Sequence, residues 1–251
     1  FQRRLSILIV AAKWWPLSAR LAIALIDQGC RVSAVCPKGH PLTRISRLHA
    51  TYAYSGLRSL ESLRHGIKDG RPDVVVPCDD GVVAQLHALY RQEPALRTLI
   101  EESLGSHNHY ETVASRYRLL QTATQLGIAV PKTRLLSGPD DIAAWHRDDG
   151  SAVLKLDGEC GGNGVRICHS AAESRLAWRD LTTRSSLALA FKRCVIERDP
   201  LAWWSRRQHD ARQVCIQTLV RGRPANAMMA CFQGTVVSLA SVIVLVADGP
   251  T

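Results

Sequence analysis

Between Val153 and Ile167 the chain reads Val-Leu-Lys-Leu-Asp-Gly-Glu-Cys-Gly-Gly-Asn-Gly-Val-Arg-Ile: an apolar run, a connection dense in glycine, and a second apolar run. Such a segment predicts two strands clasping a flexible turn. Gly161, Gly162 and Gly164 carry no side chains, so backbone N–H groups can face an anion closely, and Lys155 projects a cation from the adjoining strand. This is phosphate chemistry in outline. It is not the helix-opening P-loop, because Gly-x-x-x-x-Gly-Lys-Ser/Thr is absent and a strand follows the glycines. A plain glycine-rich hairpin with a solvent-facing lysine is the alternative reading of the same residues.

The segments before it predict an α/β arrangement. Leu5 to Ala12 reads as a buried strand, and Leu17 to Gln28 as a helix stopped by Gly29. Arg31 to Cys36 and Pro72 to Pro77 supply further short buried strands, and Gly81 to Tyr90 a helix. Apolar strands alternating with amphipathic helices predict an open parallel sheet, with ligands expected at the carboxyl ends of its strands. Asp79 and Asp80 lie at such an end, and Asp80, placed before Gly81-Val82-Val83, reads as a helix cap in preference to a ligand. No Gly-x-Gly-x-x-Gly follows the first strand, which argues against a dinucleotide there.

A second unit is expected from about His107. Tyr110 to Leu126 reads as one amphipathic helix ending at Gly127, followed by an extended segment through Leu136 and a short helix, Asp140 to His146. Ala172 to Gln213 reads only as helix plus loop. Val214 to Val220, Asn226 to Phe232 and Thr235 to Val246 read as strands, the last two joined by a hairpin turn at Gln233-Gly234.

No apolar run approaches the roughly 20 residues needed to cross a bilayer, so the expectation is a protein without a membrane span. Two arginines before Leu5 give the start a superficial likeness to a secretory leader, but Lys13-Trp14-Trp15-Pro16 offers no small-residue cleavage site. The eight cysteines show no Cys-x-x-Cys pair, which favours reduced thiols in a cytoplasm over a disulfide framework. The formal charge of +10 would attract polyanions. Basic residues are nevertheless scattered, and the densest group, Lys192 to Arg212, is interrupted by Glu197, Asp199 and Asp210. A solvated face is therefore preferred to a nucleic-acid surface.

Three features in order point to one family. The helix Ser115 to Leu126 with Gly-Ile-x-Val-Pro after it resembles the opening of an ATP-grasp domain. Val-Leu-Lys-x-Asp-Gly-x-x-Gly-Gly-x-Gly-Val resembles that fold's phosphate loop, and Val214 to Gly222 resembles its adenine-holding strand and hinge. The preceding sheet resembles the domain ahead of the ATP-grasp fold in carbamoyl-phosphate synthetase, biotin carboxylase and D-alanine ligase. The resemblance implies an α/β fold class: a Rossmann-like parallel-sheet domain over residues 1–107, then an α+β ATP-grasp domain over 108–251 that lacks its last strands. It implies that Arg116 and Lys155 touch ATP phosphates, that Gly161, Gly162 and Gly164 close over them, and that Gln217, Thr218 and Leu219 meet the adenine.

The activity so implied is ATP-dependent ligation of a small-molecule carboxylate to an amine or thiol through an acyl phosphate, with ATP and Mg²⁺ as cofactors and a homodimer left open. A non-catalytic nucleotide-binding module or a truncated fragment is the alternative. Two departures bear on this. Pro224 stands where many members have a ribose-binding Glu, and the family's magnesium-binding acids are expected on strands after Val246, where Asp248 reads as a turn former. Without those strands, Val236 to Val246 is expected to present an apolar edge.

Overall fold

The computed structural model describes residues 4–158, 164–183, 201 and 213–246. They divide into two compact units. One holds the residues up to Tyr110 together with Leu201, and the other holds Glu111–Thr183 and the residues from 213 onward.

In the first unit, four parallel strands, β1 (Ser6–Val10), β2 (Arg31–Cys36), β3 (Ala50–Ala53) and β4 (Val74–Pro77), stand in the order β3-β2-β1-β4. The central strand β1 is buried along its whole length, which is why Ser-Ile-Leu-Ile-Val shows no polar alternation. Leu8 and Val10 face a core completed by Leu63, Ile67, Leu86 and Ile100. Those partners come from the helices α2 (Ser59–Gly70), α3 (Asp80–Gln92) and α4 (Arg97–Leu104). Ile7 and Ile9 face the other side of the sheet, where Ala22 of α1 (Pro16–Asp27) and Leu42 close a second core. The expected open parallel sheet is thus present, with β3, α2 and α4 added to it.

Gly66 marks where α2 lies hard against the sheet: a Cβ there would sit 2.3 Å from Val35 Cγ2. The glycine is the condition for that close approach, at some cost in helix propensity.

The second unit has a different plan. The expected single helix from Tyr110 to Leu126 is two helices, α5 (Tyr110–Ala114) and α6 (Arg116–Gln125), with Ser115 extended between them. The break is served locally by Ser115, whose Oγ accepts weakly from Arg118 N (3.5 Å), and also from a distance. The carboxylate of Asp157 accepts a hydrogen bond from Arg116 N (3.1 Å), giving α6 an N-terminal partner that a continuous helix would not need. Four strands, β5 (Thr133–Leu135), β6 (Ala152–Leu156), β7 (Val165–Cys168) and β8 (Val214–Thr218), form an antiparallel sheet ordered β5-β8-β6-β7.

One face of that sheet, with Ala152, Leu154, Leu156, Val214 and Ile216, packs on Ile142 and Trp145 of α7 (Pro139–Asp148) and Leu181 of α8 (Ala171–Thr182). The helix read at Asp140 to His146 is α7, and α8 is the described part of the stretch read as helix plus loop. The remaining strands, β9 (Ala225–Phe232) and β10 (Thr235–Ile243), pair only with each other as an antiparallel hairpin among the described residues. Gln233 (φ 48°) and Gly234 (φ 79°) are both left-handed, as a two-residue hairpin turn requires. Every residue of β9 and β10 is exposed, Met228, Phe232, Val237 and Leu239 among them.

Among the described residues, no helix is long and apolar enough to cross a membrane. The described cysteines, Cys30, Cys36, Cys78, Cys168, Cys215 and Cys231, are all free thiols.

Candidate functional site

Antiparallel pairing decides which side chains share a face, because cross-strand partners point to the same side. Lys155 pairs with Cys215 on β8 and Val165 on β7; two residues back, Val153 pairs with Gln217, which pairs with Thr133. Lys155 and Gln217 therefore share the face opposite the α7–α8 core. Gln217 is buried, and its Nε2 donates to Thr133 Oγ1 at 3.0 Å. Thr218 alternates to the other face, with its N–H donating to the Lys132 carbonyl at 3.0 Å. Leu219 is half-buried in the segment just after β8.

The glycine connection is anchored where it leaves and rejoins the sheet. Leu156 N donates to the Gly164 carbonyl (2.8 Å), and Asp157 N to the Gln213 carbonyl (2.9 Å). Gly164 is buried; Gly161 and Gly162 lie outside the described residues.

Lys155 is half-buried, and its pKa is lowered from 10.5 first by burial and then by the charge of Arg116, with the neighbouring Cys215 acting in the opposite sense. The like-charge effect requires the two cations to be near one another. Burial pushes the Cys215 thiol up to about 11, so it stays protonated and serves as packing. No hydrogen bond or ion pair engages the Lys155 ammonium among the described residues. Lys155, half-buried and without a partner for its ammonium among the described residues, and Arg116, whose charge acts on it, are the cations of this candidate site.

Asp157 was not singled out by sequence reasoning. It is buried, holds the first turn of α6 and thereby positions Arg116 beside β6. Its signal in the sequence is only the Lys-x-Asp spacing, and its partner lies 41 residues away.

In the first unit, the sequence reading chose Asp80 as the helix cap; the cap is Asp79. Its Oδ1 accepts from Val82 N (2.9 Å), while Oδ2 accepts from Ala12 N (2.8 Å) and more weakly from Lys13 N (3.3 Å). Burial raises the Asp79 pKa, opposed by these three hydrogen bonds and the charge of Lys13. In an open sheet the crevice between neighbouring strands β1 and β4 is where a ligand would enter, since the chain turns from one side of β1 to the other there. The N–H groups at the end of β1 are already given to Asp79, consistent with the absence of a dinucleotide fingerprint. Asp80 is exposed. His40, also unanticipated, is fully buried: Nδ1 accepts from Leu42 N (3.1 Å), and Nε2 lies 3.0 Å from the Lys13 carbonyl.

No protein-family profile matches the sequence, and no curated protein sequence matches it significantly. Solved structures do resemble the fold. A Bacillus licheniformis L-amino acid ligase is similar over 96% of this chain and 51% of its own, at 13% identity and TM-score 0.59. An ADP complex of N5-carboxyaminoimidazole ribonucleotide synthetase is similar over 93% and 57%, at 13% identity and TM-score 0.56. The biotin carboxylase domain of Hydrogenobacter thermophilus 2-oxoglutarate carboxylase, in complex with MgADP and bicarbonate, is similar over 90% and 47%, at 11% identity and TM-score 0.61. The chain has the fold of the ATP-grasp enzymes. It spans about half the length of the structures it resembles.

Proposed function

We propose that the chain is the nucleotide-binding part of an ATP-dependent carboxylate ligase that acts through an acyl-phosphate intermediate, with a small-molecule carboxylate and an amine or thiol as substrates. In this reading residues 1–107 are the preceding Rossmann-like domain and 108–251 the ATP-grasp domain. The observation that carries it is the half-buried Lys155 ammonium, without a partner among the described residues, on the strand that enters the glycine connection and on the same face as Gln217. Lys155 and Arg116 bind ATP phosphates, offsetting charge that would otherwise oppose phosphoryl transfer. N–H groups of Gly161, Gly162 and Gly164 close on the same phosphates, and Gln217, Thr218 and Leu219 meet the adenine. Asp157 acts through the backbone, as a positioning residue for Arg116.

Bound ATP supplies the transferable phosphoryl group. Magnesium is an expectation from the resemblance: among the described residues, no three His, Cys, Asp or Glu side chains come together to hold a metal. A nucleotide-binding module without ligase activity is the second reading, since the same cations serve binding alone.

Amide hydrogen exchange tests the shared step. With ATP present, the peptide Asp157 to Ile167 should exchange more slowly, while the peptide covering α4 should not change. Equal exchange in the glycine peptide with and without ATP would leave it a structural hairpin.

A further inference from the structure

At the amino-terminal edge of the parallel sheet, the end opposite Asp79, the first unit has a concavity of about 480 Å³ lined by Arg31, His49, Lys68, Asp69, Gly70 and Arg71. Its size falls within the roughly 300–1,000 Å³ typical of small-ligand pockets. Three permanent cations there face one carboxylate. That carboxylate is shared outward, because Asp69 Oδ2 lies 3.3 Å from His65 Nδ1. Among the described residues, no carboxylate lies within ion-pair distance of Arg31, Lys68 or Arg71.

One of the cations has its head group held in place, and another has its backbone fixed. Arg31 Nε and Nη2 donate to Ser6 Oγ at 3.3 and 3.1 Å, and Ser6 is buried. A neutral acceptor fixes the guanidinium without cancelling its charge. Arg71 ends α2 in the left-handed region (φ 42°), its N–H donating to the Ile67 carbonyl at 3.0 Å. Glycine would take that conformation without strain, yet here it carries a guanidinium at the rim of the concavity.

The geometry points to a binding site in this concavity for a compact diphosphate group, free or esterified, held by Arg31, Lys68 and Arg71. Two guanidinium forks and an ammonium supply charge-assisted donors, and the excess of positive charge suits an anion carrying two phosphoryl groups better than one carrying a single phosphoryl group. The three cations line one open concavity, whereas a duplex backbone presents its phosphates in an extended row. The inference rests on the first unit alone and is independent of the nucleotide reading.

The test is calorimetric titration of the 251-residue chain with inorganic diphosphate, in the wild type and in a Lys155→Ala background that weakens the other cation site. Lys68→Ala and Arg71→Gly should each reduce diphosphate affinity about tenfold, the effect expected from losing one charge-assisted contact. Arg71→Gly removes the guanidinium while suiting the left-handed backbone, so its melting temperature should not fall. ADP in the Lys155→Ala background separates an esterified diphosphate from the free ion; binding of either one that Arg71→Gly weakens supports the site. Unchanged affinity in both Lys68→Ala and Arg71→Gly, loss of binding on Lys155→Ala alone, or preference for a DNA duplex over diphosphate would each overturn it.

Discussion

Replacing Asp79 by alanine removes one acceptor that serves two elements. Losing an N-terminal cap costs about 1 kcal/mol, here the bond that Val82 N of α3 donates to Asp79 Oδ1. Ala12 is fully buried, so its N–H would be stranded without a partner, at about 1–3 kcal/mol. Against this, the raised pKa of Asp79 means the carboxylate is held at a desolvation cost that alanine would relieve. The lower end of the combined range follows, about 2 kcal/mol. Asp80→Ala should cost under about 1 kcal/mol, because an exposed acid in the first helical turn contributes only through the helix dipole. Urea unfolding followed by circular dichroism measures both. Equal losses for the two variants, or a loss below about 1 kcal/mol for Asp79→Ala, would refute the assignment of the cap and of the tie to β1.

Gly66→Ala should destabilise by about 1–3 kcal/mol although alanine is the better helix former, since its Cβ meets Val35 Cγ2 at 2.3 Å and a β-branched strand residue cannot swing away. In the Gly66→Ala background Val35→Ala should cost less than it does in the wild type, which a double-mutant cycle by chemical denaturation reads directly. ATP affinity should depend on pH through Lys155. Its pKa is lowered in the free protein and would be raised by bound phosphate, so affinity is greatest below the lowered value. Affinity then falls as pH rises through that value towards the bound one; titrations at several alkaline pH values check the sign, and Lys155→Ala should flatten the profile.

The elements that were legible in the sequence are those whose burial is local and continuous. β1, β2 and β4 send side chains into the cores on both faces of the sheet, so they appear as largely apolar runs without strict alternation. The edge strand β3 did not appear, being four residues long and only half-buried. α2 was not anticipated; it holds Gly66 and Gly70, residues of low helix propensity, and Gly66 is explained only by its packing against Val35. The division between α5 and α6 is reinforced by Asp157 beside the local cap Ser115, and Asp79 ties its own cap of α3 to Ala12 and Lys13; in each case a partner distant in sequence takes part. Lys155 and its glycine connection were legible for the opposite reason, since strand, cation and glycines are contiguous. The pairing of Arg116 with Lys155 as phosphate cations came only through the family resemblance; nothing local to either residue signals it, and Arg116 N is tied to Asp157, two residues after Lys155.

Calorimetric titration of ATP into the wild type and Lys155→Ala tests the nucleotide reading most directly. A charge-assisted contact is worth about 1.5–3 kcal/mol, so the wild type should bind ATP and the variant should bind it about tenfold more weakly or worse. Equal affinity in the two proteins would contradict the account, because the half-buried ammonium would then have no part in holding the phosphates.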